Sequence, residues 1–334
     1  MNDDDRKPNI GDVARLAGVS PMTVSRVIND SARVRPETRT KIQAIIAEIG
    51  YAPDPAARIL ARAGAGRIGL LYANPSNAYL AEVLAGALSG ARAAGLLLMI
   101  EPSQAGDPTA ERLAVSRLAA GGAQGLIVPP PLGESAATLE AIAKAGVRAV
   151  VLAAPSERDD VVSLRVDDRA AAREIVEHLL QLGHRRIGLI EGRSDQSASA
   201  ERRRGAEEAM ASMPGTSLSV AAGDFTYRSG LEAARRLLTQ TPRPTAIFAS
   251  NDDMASGALA AVHGAGLDAP KDISVAGFDD SYIAASSWPT LTTIRQPAAD
   301  MAYEAAIRLA RAGQPAEAWP HRLVVRESTG PAPH

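Results

Sequence analysis

Cysteine is missing from all 334 residues of the chain. That excludes a disulfide framework, a thiol nucleophile and a thiolate metal site, and it fits a reducing compartment. No run approaches the roughly 20 consecutive apolar residues of a membrane span. The opening MNDDDRKPNI is acidic and then polar, without the apolar core of a secretory signal. The expectation is a soluble cytoplasmic protein. The five histidines, His178, His184, His263, His321 and His334, are scattered, and none forms a metal-spaced pair such as H-E-x-x-H. Neither a G-x-S-x-G nucleophile elbow nor a P-loop occurs, and nothing marks two carboxylates as general acid and base. These absences argue against an enzyme; no cofactor and no metal are expected.

The length allows a large core and two or three domains. A net charge of -2 conceals an uneven distribution. Between Arg6 and Arg62 there are ten basic residues against five acidic ones, so the head is basic and the remainder acidic. A basic head on an acidic body points to a polyanion partner for the head alone.

The head reads as three short helices. Asn9, with Asp12 three residues on, can cap a first helix whose apolar positions Ile10, Val13, Ala14 and Ala17 share one face. Gly18 permits the left-handed conformation that ends it. Ser20 is a natural N-cap and Pro21 a natural first residue for a second helix, with Val24, Val27 and Ile28 inward. A third helix from Pro36 turns Ile42, Ile45, Ile46 and Ile49 to the core, although Arg35 stands where a capping Ser, Thr or Asp is expected. So small a core leaves one face of the second helix bare: Met22, Thr23, Ser25, Arg26 and Asn29. In a helix-turn-helix this helix enters the DNA major groove. Arg26 can pair bidentately with guanine and Met22, one turn away, can touch a thymine methyl. Ser20, Thr23 and Asn29 suit phosphates, which fix register without reading sequence.

Beyond Arg67, apolar runs alternate with Ala- and Leu-rich amphipathic stretches. Ten strand candidates, from RIGLLYA to RLVVRES, fall into two groups and imply two parallel sheets covered on both faces. Ligands of such sheets bind beyond the carboxyl ends of the strands. Asn77 and Tyr79, Asp224 and Phe225, Asn251 and Asp252, and Asp279 and Asp280 all stand just after apolar runs. Amides, carboxylates and an aromatic wall together suit vicinal hydroxyls on a sugar ring. Asp252 and Asp280 read as helix caps rather than ligands, and Arg203 and Arg204 as a solvated charge run. The glycines Gly64, Gly66 and Gly69 spell G-x-G-x-x-G but precede a strand, so they are not a dinucleotide fingerprint.

The stretches IGDVARLAGVSPMTVSRVIND and RVRPETRTKIQAIIAEIGYAPDPAARILA resemble the head and hinge of the lactose-repressor/galactose-repressor family of bacterial transcription regulators. The resemblance continues in order through GHRRIGLIEG, RPTAIFASNDDMASGAL, DISVAGFDDS and PTLTTIRQP. It implies an all-α helix-turn-helix domain over 1–50, a hinge helix and linker over 51–66, and a periplasmic-binding-protein-like core over 67–330. One Rossmann-like subdomain would hold about 67–163 and 295–321, the other about 164–294 and 322–330, with crossings near Leu164, Ile294 and Arg322. It also implies that paired hinge helices enter the minor groove, with Ala57 on the DNA and Leu60 wedging a base step. Pro21 and Met22, which open the recognition helix, depart from the family pattern and leave the operator open.

By the same resemblance Arg202, Asn251 and Asp279 match positions that hold sugar hydroxyls, and Phe225 matches an aromatic wall. Gln196 and Ala198 stand where a purine-binding member carries a different set. Ala153 stands where some sugar-binding members have a carboxylate. The expected effector site is therefore Asn77, Tyr79, Gln196, Arg202, Phe225, Asn251 and Asp279. The expected protein is a regulator, a repressor by preference, acting as a homodimer on palindromic operator DNA at the nucleoid. A mono- or oligosaccharide between the subdomains would control it. The alternative is a sugar-binding protein without specific DNA binding.

Overall fold

The protein is described by a computed structural model that covers residues 8–28, 34–51, 66–155, 161–311 and 318–333. It divides into two units, 1–65 and 66–334.

In the first unit, the Asn9 carboxamide accepts from the backbone N–H of Gly11 and Asp12, at 2.8 and 3.2 Å. The Asp12 carboxylate accepts from the Asn9 N–H at 3.0 Å in return, a capping box that starts α1 (Ile10–Ala17). Gly18, at φ 68°, ends the helix in the left-handed conformation that glycine adopts without strain. In α2 (Pro21–Ile28) the Ser20 Oγ accepts from Thr23 N–H at 3.2 Å. Arg35 gives α3 (Pro36–Glu48) no side-chain cap. Val13, Ala14, Ala17, Val24, Val27 and Ile42 are buried together. Ile28, Ile45, Ile46 and Ile49 pack against them only half-buried, because three short helices cannot enclose more. Asn29, Ala57 and Leu60 lie outside the described residues.

The second unit holds two six-stranded sheets of matching plan. The first consists of β1 (Arg67–Tyr72), β2 (Leu97–Pro102), β3 (Ala123–Val128), β4 (Arg148–Leu152), β5 (Val161–Val166) and β11 (Ala318–Trp319). Its order is β11-β5-β4-β3-β1-β2, parallel throughout. The second consists of β6 (Arg186–Glu191), β7 (Ser217–Ala222), β8 (Ala246–Ala249), β9 (Ser274–Asp279), β10 (Thr292–Arg295) and β12 (Arg322–Val324). Its order is β12-β10-β9-β8-β6-β7, with only β12 antiparallel. The strand order reverses beside β1 and again beside β6, and such switch points open a crevice at the carboxyl ends.

Helices α4 (Asn77–Ala93), α5 (Pro108–Ala120), α6 (Ala136–Ala145) and α12 (Ala298–Ala310) pack with the first sheet. Helices α7 (Asp168–Gln181), α8 (Ser197–Ala211), α9 (Tyr227–Leu238) and α10 (Asp252–Gly264), with the short α11 (Tyr282–Ser286), belong with the second. Strands such as Ile68–Leu71 and Leu126–Val128 are buried on both faces, which is why they read as unbroken apolar runs.

All ten expected strands form. Two more do as well: β10, whose TTIR carries too many hydroxyls to read as apolar, and the two-residue β11. The crossings between sheets differ by a few residues from their expected places. Leu164 lies inside β5, paired with Leu152, so the chain crosses only after Val166. Ile294 lies inside β10 and Arg322 begins β12, which puts the other two crossings at residues 296–297 and 320–321.

Candidate functional site

On α2, Pro21, Met22 and Arg26 are exposed, Met22 by 62%. Thr23 and Ser25 are half-buried. Ser20 and Thr23 share a hydroxyl–hydroxyl bond of 3.0 Å in addition to the cap. Their side chains are therefore set by the helix start, and Met22 and Arg26 are the long groups that project from it.

In the core unit, a cavity lies between the carboxyl ends of the two sheets. Six of the seven expected effector residues line it: Tyr79, Gln196, Arg202, Phe225, Asn251 and Asp279. Asn77 does not. The Ser76 side chain caps α4 by accepting from Tyr79 N–H at 3.2 Å, and Asn77, the first helical residue, is turned outward. Asn74, Ser76, Pro130 and Gln296 line the cavity in addition. Asn74 and Ser76 belong to the same loop as Asn77, so the loop was legible and the residue was not. Gln296 follows β10, and a strand not anticipated hides the residue at its end.

Arg202 is buried and held on three sides. Its Nε donates to the Asp168 carboxylate at 2.8 Å, Nη1 donates to the Ser250 carbonyl, and Cζ lies 3.6 Å above the Phe278 ring. Burial pushes the Asp168 carboxyl up and Arg202 pulls it back, leaving it raised. Asn251 is equally fixed: Oδ1 accepts from Met254 N–H at 2.9 Å as the cap of α10, and Nδ2 donates to the Phe225 carbonyl at 3.0 Å. Phe225 sits at φ 70°, with its ring over Gly192, where a Cβ would stand 2.0 Å from the ring Cζ. Only glycine leaves room for that aromatic wall.

Asp279 closes the floor. The Gln296 Nε2 donates to its carboxylate at 2.5 Å. Burial drives its pKa well above the ordinary carboxylate range, Arg202 opposes this, and the neighbouring Asp252 adds to it. Asp252 is not a cap of its own helix. It accepts from Ser281 N–H at 2.8 Å, Ser281 Oγ at 3.1 Å and Thr293 Oγ1 at 2.7 Å, and burial pushes it up to about 7. Asp280 does not cap either; it accepts from Arg326 at 2.5 Å. Arg203 makes exposed ion pairs with Glu207 and Glu191, as a solvated charge run should.

Three atoms in this wall find no partner among the described residues: Tyr79 OH, Gln196 Nε2 and Gln296 Oε1. All three belong to side chains at least 95% buried. Buried polar atoms left unpaired cost free energy, so the side chains lining the cavity carry unmet hydrogen-bonding capacity.

Residues 9–54 match the family model described as bacterial regulatory proteins, lacI family, and residues 176–329 match the periplasmic binding protein-like domain. The curated regulator CelR of Thermobifida fusca is 35% identical over 312 residues, covering 90% of each chain. The chain belongs to the lacI family of bacterial regulatory proteins. Among solved structures, a transcriptional regulator CelR–cellobiose complex superposes on this lacI-family chain with a TM-score of 0.71 at 29% identity, covering 96% of this chain and 99% of that one. The lac repressor dimer bound to operator and the anti-inducer ONPF gives 0.71 at 29% identity, covering 97% and 100%. These likenesses run through head and core alike.

Proposed function

We propose that the protein is a transcriptional regulator that binds a palindromic operator as a homodimer and is controlled by a sugar held in the core cleft. The three unpartnered buried atoms of Tyr79, Gln196 and Gln296, in side chains that line the cavity, carry the effector half of this reading. The cavity holds two ionisable groups of opposite sign, Arg202 and Asp279, and Arg202 is already matched by Asp168. A neutral polyol suits it better than a phosphate ester, which would need a cation of its own. The CelR–cellobiose and lac repressor–ONPF structures support a sugar as the effector.

The operator half rests on the exposed Met22 and Arg26 of α2. We assign residues 1–50 to the DNA-binding domain, 51–66 to the hinge with Ala57 and Leu60 on the DNA, and 67–330 to the effector core. The protein acts in the cytoplasm as a regulator and not as an enzyme, in keeping with relatives that are transcriptional regulators. Among the described residues no helix is long and apolar enough to cross a membrane. Sugar in the cleft shifts operator affinity only through its differential affinity for two arrangements of the lobes.

Selection of bound sequences from a random DNA pool at fixed salt, followed by titration of the enriched site with sugars, tests this. A palindromic site whose affinity changes with one sugar is the expected result. Sugar binding with no enriched sequence would leave a sugar-binding protein without an operator.

A further inference from the structure

Among the described residues, four that are not glycine hold a positive φ: Ala153 at 50°, Phe225 at 70°, Asp279 at 121° and Asp280 at 58°. The first three line the cavity, and Asp280 is joined directly to the third. Such backbone persists only where its surroundings over-determine it, and it gathers where ligands are gripped. Asp279 and Asp280 place two such residues in succession at the carboxyl end of β9.

The turn is held from three elements. From α10, the buried Asp252 accepts from the Ser281 N–H and hydroxyl on Oδ2 and from Thr293 Oγ1 on Oδ1. The Asp280 N–H points to that same Thr293 Oγ1, at 3.4 Å, so β10 links the turn to Asp252. Beyond β12, Arg326 Nη2 donates to the Asp280 carboxylate at 2.5 Å and Nη1 to the Leu291 carbonyl at 2.9 Å. The Arg326 backbone N–H is itself fixed on Thr292 Oγ1 at 2.9 Å. Asp252 finds room because β9 has glycine at 277, where a Cβ would stand 2.4 Å from the Asp252 Oδ1. Neither Asp252 nor Arg326 lines the cavity. Both instead grip the two residues that follow Asp279, whose own carbonyl accepts from Gln296 N–H at 3.2 Å. With the chain fixed on both sides, the Asp279 carboxylate has one direction left to it.

We infer that Asp252 and Arg326 are positioning residues for the effector: they hold the turn 279–281 in its positive-φ course and so aim the Asp279 carboxylate at the bound sugar. The inference rests on the sugar reading above and deepens it. Ordering the carboxylate is then a cost of folding and not of binding, which is what preorganisation means for affinity.

Titration calorimetry on the full chain with cellobiose, lactose and glucose tests it, with the melting transition of every variant recorded. Asp280→Ala and Asp280→Gly remove the same contact with Arg326, but only glycine adopts a φ of 58° without strain. For a sugar that the parent binds, Asp280→Ala should bind at least about tenfold more weakly, because alanine is held in a left-handed conformation at its own cost. Asp280→Gly should stay within about threefold of the parent, the remainder being the greater freedom of glycine. A merely structural ion pair would be lost equally in both. Asp252→Asn, which turns an amide donor toward Ser281 or Thr293, should weaken the same sugar at least about fivefold. Equal affinities in Asp280→Ala and Asp280→Gly, or an Asp252→Asn variant that binds as tightly as the parent, overturn the positioning role and leave the sugar reading standing. If none of the three sugars binds the parent, both are overturned.

Discussion

The Ser76 hydroxyl, beyond β1 of the first sheet, donates to the Asp253 carboxylate at 2.5 Å, at the start of α10 in the second. A second bond spans the same cleft, from Ser197 N–H at the start of α8 to the Glu134 carboxylate at 2.9 Å. Each ties one lobe to the other at the mouth of the effector cavity. A hydrogen bond to a charged group contributes ~1.5–3 kcal/mol, so each bond biases the balance between open and closed lobes by at least roughly tenfold. Asp253→Ala removes the first bond and leaves the Ser76 cap of α4 in place. The expected outcome is a larger radius of gyration by small-angle scattering without sugar, and a several-fold weaker sugar affinity.

Arg202→Met should cost stability as well as effector binding. It leaves the buried Asp168 carboxylate without its partner, and breaking a buried pair in this way costs ~3–5 kcal/mol. A lower urea midpoint at unchanged slope is the measurement, with loss of sugar binding beside it.

Gly192→Ala adds one methyl 2.0 Å from the Phe225 ring atom it faces. The ring must leave its place against the cleft. Sugar affinity should fall by tenfold or more, ~1.4 kcal/mol, while the isolated operator affinity, read by gel shift without sugar, stays near that of the parent.

Arg26→Ala should cost ~1–3 kcal/mol at one base position and relax specificity there. Competition gel shifts against single-base operator variants read it. Equal weakening on every sequence would make Arg26 a phosphate contact instead.

Glu82, on α4, is pushed up to about 7 from an ordinary 4.5, first by burial, then by Asp280, against Arg295, with Asp300 adding. Between those values the folded chain holds a proton that the unfolded chain has lost, so stability falls as pH rises from about 4.5 to about 7. Asp252 acts in the same direction. Glu82→Gln should flatten that slope in part and raise the melting temperature at pH 7.5 relative to the parent. Chemical denaturation at a series of pH values shows whether the slope changes.

Much of this protein follows from local chemistry that the sequence carries by itself. The capping box of Asn9 and Asp12, the turn at Gly18 and the apolar spacing in α1 and α2 are interactions between residues within a few positions, so the head was readable. The alternation of apolar runs with Ala-rich helices fixed two parallel sheets, and the rule that ligands sit beyond strand ends brought out Tyr79, Phe225, Asn251 and Asp279, four of the expected residues that line the cleft, while Gln196 and Arg202 came from the family resemblance. The tertiary structure alone decided which way the loop after β1 faces. Ser76 points in because it caps α4, and Asn77 is thereby turned outward. It alone brought Gln296 to Asp279 and Arg202 to Asp168, and it alone set Ser76 against Asp253, 177 residues away. Burial and pairing at such separations depend on where two sheets stop relative to one another, and no short-range pattern encodes that distance.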